Sequence, residues 1–191
     1  CVLAIDPVPA PTVRQMAKNL AGKDFEAQAV IGRRNGEYFL LDYRLSRGHD
    51  VGWTVATALE LARQWRVLRI IVEETSQSAH LPGFLRAEMA RRGAYHAVVP
   101  TPVSANKFIR ITTALNGPAS QGKLWCSARH AEFVEQFGAY GPTYTAHDDL
   151  LDAVALGMSD LANPYLEFTK GEYIDLDDAG VEPLRAARGA P

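Results

Sequence analysis

Acidic side chains stand at three separated places in this chain, each where an apolar run ends or begins. Asp6 closes "CVLAID", Glu73 and Glu74 close "VLRIIVEE", and Asp148, Asp149 and Asp152 open the apolar stretch of "HDDLLDAVALG" behind His147. A buried strand that ends in an acid delivers that acid to one edge of a sheet. Carboxylates brought within a few ångströms of one another oppose each other's ionisation. Divalent magnesium or manganese relieves that repulsion, because hard cations take oxygen ligands and retain water in their open positions. Two such ions about 3.5–4 Å apart activate water and stabilise the leaving oxygen in phosphodiester hydrolysis.

Each acid also has a plainer reading. Asp6-Pro7 is a common turn opener. Strand alternation lets only one of Glu73 and Glu74 point into a shared site. Asp149-Leu-Leu-Asp152 has the spacing of a capping box, with Asp149 as the cap and Asp152 turned back toward it. His147 is a surface or supporting group more often than a ligand. The combination argues for the metal: if the first and fourth strands are neighbours, Asp6 and Glu73 end side by side and the last helix closes over them. Capping and metal binding need not exclude one another among Asp148, Asp149 and Asp152, and the residues alone leave open which of them faces Asp6 and Glu73.

The elements that must do this positioning are readable in order. "CVLAID" is a buried strand, followed by an irregular stretch with a short helix from Thr12 to Leu20. Two strands joined at Asn35-Gly36 form a hairpin. Asp50 caps a helix through Trp65. The strand "VLRIIVEE" follows, then a helix from Pro82 to Arg92, the strand "YHAVV", and a helix opened by Ser104 that carries Lys107 and Arg110. A short strand "GKLWC", a helix in "ARHAEFVEQF" and the helix of "HDDLLDAVALGMSDLA" complete the series. An antiparallel hairpin followed by helix-separated parallel strands implies an α/β fold with a mixed sheet covered by helices on both faces. Residues 1–164 form one domain in this reading, and 165–191 an acidic peripheral tail.

Bulk properties narrow the function. The 191 residues are 47% hydrophobic and 22% charged with a formal net charge of −2, an ordinary globular balance that argues against a generally sticky nucleic-acid binder. The tail from Tyr165 holds six acids against three bases, which leaves the body near neutral, with 17 bases and 16 acids. The arginines are grouped, as Arg33 with Arg34, Arg44 with Arg47, and Arg86 with Arg91 and Arg92. Local patches of this kind hold a phosphate backbone without a basic total. No apolar run approaches the roughly 20 residues of a membrane span, and Cys1 and Cys126 cannot build a disulfide framework. The abrupt start in a buried strand reads as a piece of a longer protein.

"AIDP", "IIVEE", "NKFIRITTALNGPASQGKLW" and "HDDLLDAVALG", in this order, resemble the nuclease domain of the large terminase subunit of tailed bacteriophages. "GKDFEAQAVIGRRNGEYFLLDYRLSR" resembles that domain's early hairpin, and the resemblance spans about residues 2–162. It implies a ribonuclease H-like fold and a metal-dependent endonuclease that cuts concatemeric viral DNA during genome packaging, using a two-ion Mg²⁺ or Mn²⁺ site. By this resemblance Asp6, Glu73 and Asp149 are the metal ligands and catalytic acids, with Glu74 the alternative to Glu73. Asp148, which can cap the last helix while Asp149 turns to the metal, and His147 are auxiliary groups. Asp152 one turn further on is a bystander or a supporting group, and Asp24 sits where the family often carries an acid near the site. Lys107 and Arg110 match the family's basic helix, suited to a DNA phosphate. The implied partners are double-stranded viral DNA, a packaging ATPase domain, the portal and the small terminase subunit, in the host bacterial cytoplasm and transiently at the procapsid. No G-x-x-x-x-G-K-[ST] loop occurs here, so the ATPase is expected upstream of Cys1. Two other readings remain: a different ribonuclease H-like nuclease, such as a resolvase or transposase core, and a DNA- or portal-binding module that does not cut.

Overall fold

The computed structural model describes residues 1–8, 25–75, 78–102, 106–142, 147–163 and 181–183. The elements run β1 (Val2–Asp6), β2 (Glu26–Arg34), β3 (Glu37–Ser46), α1 (Val51–Gln64), β4 (Arg69–Glu74), α2 (Leu81–Arg92), β5 (Ala97–Pro102), α3 (Lys107–Ser120), β6 (Leu124–Ser127), α4 (Ala131–Ala139), α5 (Asp149–Ala162) and β7 (Val181–Pro183). The strands form one mixed sheet in the order β5-β4-β1-β2-β3-β6-β7. β2 pairs antiparallel with β1 and β3, whereas β4 runs parallel to both β1 and β5, and β6 runs parallel to β3.

Local chemistry sets the junctions. Asn35 and Gly36 both take positive φ, 51° and 81°, as a two-residue hairpin whose twist matches its strands requires. Asp50 caps α1 by accepting the Trp53 N–H at 2.8 Å, and Asn106 caps α3 by accepting the Phe108 N–H at 2.9 Å. That second cap lies two residues past the expected Ser104, which is outside the described residues. β5 likewise starts at Ala97, after the expected Tyr95. The expected helix over Thr12–Leu20 also lies outside the described residues, as does Asp24. Of the acidic tail, 181–183 are described, and they pair antiparallel with β6 at the sheet edge.

Helices cover both faces, and for that reason the central strands read as continuous apolar runs. On one face α1 and α2 pack Val55, Leu59, Leu61 and Leu85 against Leu3, Ile5, Val30, Ile70 and Val72. On the other, α3, α4 and α5 pack Ile111, Leu115, Phe133, Leu151 and Val154 against Val2, Ala4, Ala29, Ile31 and Ile71. Helix α5 lies so close to the sheet that a Cβ on Gly157 would stand 2.4 Å from Ile31 Cδ1 and 3.3 Å from Ala4 Cβ. Glycine here is a packing requirement, which offsets its low helix propensity. A Gly157→Val substitution forces α5 off β2 and should cost about 1–3 kcal/mol, read as a lower urea midpoint with an unchanged m-value.

Candidate metal centre

β1 and β4 lie side by side with Ile5 opposite Val72, so the next residues, Asp6 and Glu73, leave the same sheet edge as neighbours. Alternation aims both at the α5 face: Val2 and Ala4 precede Asp6, Ile71 precedes Glu73, and all three are buried beneath α5. Glu74 falls on the opposite side and is exposed.

Helix α5 starts over that edge. Every residue from Leu150 to Met158 is buried, because the first turns press into the sheet on one side and are covered by α3 and α4 on others. Asp152 is carried down with them and is only 2% exposed. Its carboxylate meets those of Asp6 and Glu73, with ligand oxygens of all three within 4.8 Å of one another. Among the described residues this is the one cluster of three or more potential metal-ligating side chains.

Two basic residues from the first turn of α3 enter the cluster. Arg110 donates to Asp152 Oδ1 through Nε at 2.9 Å and through a second, shorter contact from Nη2, which also reaches Glu73 Oε1 at 3.3 Å. The Lys107 ammonium is 2.8 Å from Asp148 Oδ1, 3.3 Å from Asp152 Oδ2, 3.4 Å from Asp149 Oδ1 and 3.9 Å from Asp6 Oδ2. Burial raises the pKa of Asp6 well above the carboxylate range, and the neighbouring Asp152 and Glu73 reinforce it, with Lys107 opposing. Burial likewise raises Asp152, against the counter-pull of Arg110 and Lys107. Burial works against the Lys107 ammonium, but Asp6, Asp152 and Asp148 outweigh it and hold the side chain protonated. The cluster is therefore short of positive charge: five carboxylates share two bases, and two of the carboxyls resist ionising.

The remaining acids sit around this centre. Asp148 occupies the N-cap position of α5 without a side-chain capping bond, because its carboxylate is turned to Lys107. Asp149 accepts the Phe25 N–H at 3.1 Å through Oδ2 while its other oxygen faces Lys107, so it ties the start of β2 to the start of α5. The family resemblance favours Asp149 at the centre with Asp152 at its margin; the folded chain instead groups Asp152 with Asp6 and Glu73. His147 accepts a hydrogen bond from Arg47 at 2.8 Å and meets the Phe25 ring edge-on at 4.8 Å. Arg47 in turn lies 3.6 Å over the Phe25 ring. This Arg47–Phe25–His147 stack walls the side of the cluster near Asp149. The sequence shows Arg47 only as one of a basic pair; its stacking on Phe25, at the start of the neighbouring strand, depends on the β2–β3 register, which sets Glu26 opposite Ser46.

The donor set suits a hard divalent cation: three carboxylates from three elements, converging at the end of a sheet, with no sulfur or imidazole among them. A protein-family model described as the terminase RNaseH-like domain matches residues 16–161. Among solved structures, the human cytomegalovirus terminase nuclease domain, Mn soaked and inhibitor bound, is similar at 12% identity and a TM-score of 0.58, over 85% of this chain and 83% of that one. The same domain, Mn soaked, is similar at 11% identity with the same TM-score and coverage. A Thermus thermophilus RuvC structure matches at 17% identity and a TM-score of 0.42, over 83% of this chain and 90% of that one. Comparison with curated protein sequences gives no match.

Proposed function

The chain belongs to the family of terminase RNaseH-like domains, and from that premise we propose that it is the metal-dependent endodeoxyribonuclease of a tailed-phage large terminase. It cuts concatemeric double-stranded viral DNA during packaging, in the host bacterial cytoplasm and at the procapsid. A packaging ATPase domain, the portal and the small terminase subunit are its partners in that reading. The observation that carries the proposal is the convergence of Asp6, Glu73 and Asp152 at one sheet edge, from three elements with no other reason to pool charge.

In this mechanism Asp6, Glu73 and Asp152 hold Mg²⁺ or Mn²⁺ in a two-ion site, with Asp149 and Asp148 available at its outer side. Such ions supply an activated water and neutralise charge at the leaving oxygen. The protein's own share is geometric. The sheet fixes Asp6 and Glu73 as neighbours, and Arg110 holds Asp152 by two N–H groups so that it cannot rotate out of the site. Lys107 and Arg47 flank the acids, where they can pair with backbone phosphates on either side of the scissile bond. His147 supports the wall beside the site through Arg47 and Phe25, and Glu74, on the opposite side of the sheet, carries no ligand role.

Incubating the protein with supercoiled plasmid and Mn²⁺, with and without chelator, tests this directly. Nicked and linear products should accumulate with the metal, stop on chelation and be absent for Asp6→Asn. Cutting by Asp6→Asn at the wild-type rate would remove the assignment.

A further inference from the structure

The Lys107 ammonium sits among the same carboxylates that converge on one another. It lies within 4 Å of Asp6 from β1, of Asp148 at the N-cap position of α5, and of Asp149 and Asp152 within α5, with a short contact to Asp148 alone. Several acids surrounding one cation at mixed distances is how a counter-ion sits, in contrast to the two-pronged grip of Arg110 on Asp152. The two bases also differ in freedom. The Arg110 side chain is 12% exposed, while that of Lys107 is 39% exposed and starts from the first residue of α3. Side-chain torsions alone can therefore move the ammonium to solvent and leave the helix in place.

We propose that Lys107 is the resident counter-ion of the metal centre, which an incoming divalent cation displaces, so that metal loading and release of the ammonium toward DNA are one event. This rests on the reading of Asp6, Glu73 and Asp152 as metal ligands. Lys107 touches two of those three acids, and an ammonium a few ångströms from a divalent ion is strongly repelled at the low effective dielectric of a partly buried site. The two cations therefore exclude one another from the inner position. By linkage the exclusion is reciprocal: the pairs that Lys107 makes weaken metal binding, and bound metal weakens those pairs. The freed ammonium remains tethered at the site's rim, where a phosphate can take the place of the lost carboxylates. The chain thus gains a phosphate contact when the cleavage centre is loaded.

Titrating Mn²⁺ calorimetrically into the metal-free full chain, Lys107→Met and Asp152→Asn, at one pH and ionic strength, tests the displacement. Lys107→Met should bind Mn²⁺ on the order of tenfold tighter than wild type, and Asp152→Asn should lose the binding. Equal or weaker binding by Lys107→Met, with wild-type binding intact, overturns the counter-ion role. An absence of Mn²⁺ binding in both wild type and Lys107→Met instead overturns the metal-site reading beneath it. A second measurement needs no variant: acylation of wild-type Lys107, read by mass spectrometry against the exposed Lys123, should speed up several-fold at saturating Mg²⁺. An unchanged or slower rate contradicts displacement.

Discussion

Asp152→Asn should abolish Mn²⁺-dependent plasmid cleavage, by on the order of 10³-fold or more, whereas Asp149→Asn should lose about 10–100-fold. The difference comes from where the helix places the two carboxylates. Asp152 is 2% exposed and shares a 4.8 Å cluster with Asp6 and Glu73. An asparagine there keeps the shape but removes the charge that a divalent ion needs. Asp149 instead spends one oxygen on the Phe25 N–H and turns the other to Lys107. Its loss loosens the joint between β2 and α5 and shifts the site without removing a member of the cluster. Single-turnover cleavage rates at saturating metal distinguish the two, and equal losses would place both aspartates in the metal shell.

Arg110→Met should destabilise the metal-free protein by about 3 kcal/mol, because it strips the buried Asp152 carboxylate of its two-pronged donor and leaves it only the Lys107 ammonium at 3.3 Å. An exposed ion pair would contribute at most about 1 kcal/mol, but here the side chains are 12% and 2% exposed. The cost lies mostly in the charge left behind, so removing that charge should return it. The double variant Arg110→Met with Asp152→Asn should regain most of the loss, a coupling that a double-mutant cycle in urea reads directly. Additive losses would mean that Arg110 acts through packing against α5 and not through Asp152.

Much of the frame was legible in the chain. "CVLAID" and "VLRIIVEE" announced buried strands ending in acids, Asn35-Gly36 the hairpin, and Asp50 its helix. Those signals are local, and each residue performs the role that its own backbone demands. The choice among the acids of "HDDLLDA" was not local. A capping box predicts that the fourth residue turns back to the helix start, and by that rule Asp152 is a bystander. What sends Asp152 inward is burial of the first turns of α5 on nearly every side, together with Arg110 arriving from α3, 42 positions away. The role of Lys107 was obscured in the same way. A basic helix reads as a phosphate contact, and nothing in its spacing shows that the ammonium rests among four aspartates. The outermost strand, Val181–Pro183, was hidden by the acidic composition around it, since three residues are too few for a periodic pattern.

In the proposed function Asp6, Glu73 and Asp152 together form the metal centre. Anomalous scattering from Mn²⁺-soaked crystals of the protein tests it most directly. The expected result is a manganese peak bounded by carboxylate oxygens of Asp6, Glu73 and Asp152, with the Lys107 ammonium moved out toward solvent. Manganese coordinated by Asp148 or Asp149 while Asp152 stays paired only with Arg110, or no manganese at this sheet edge, would contradict it.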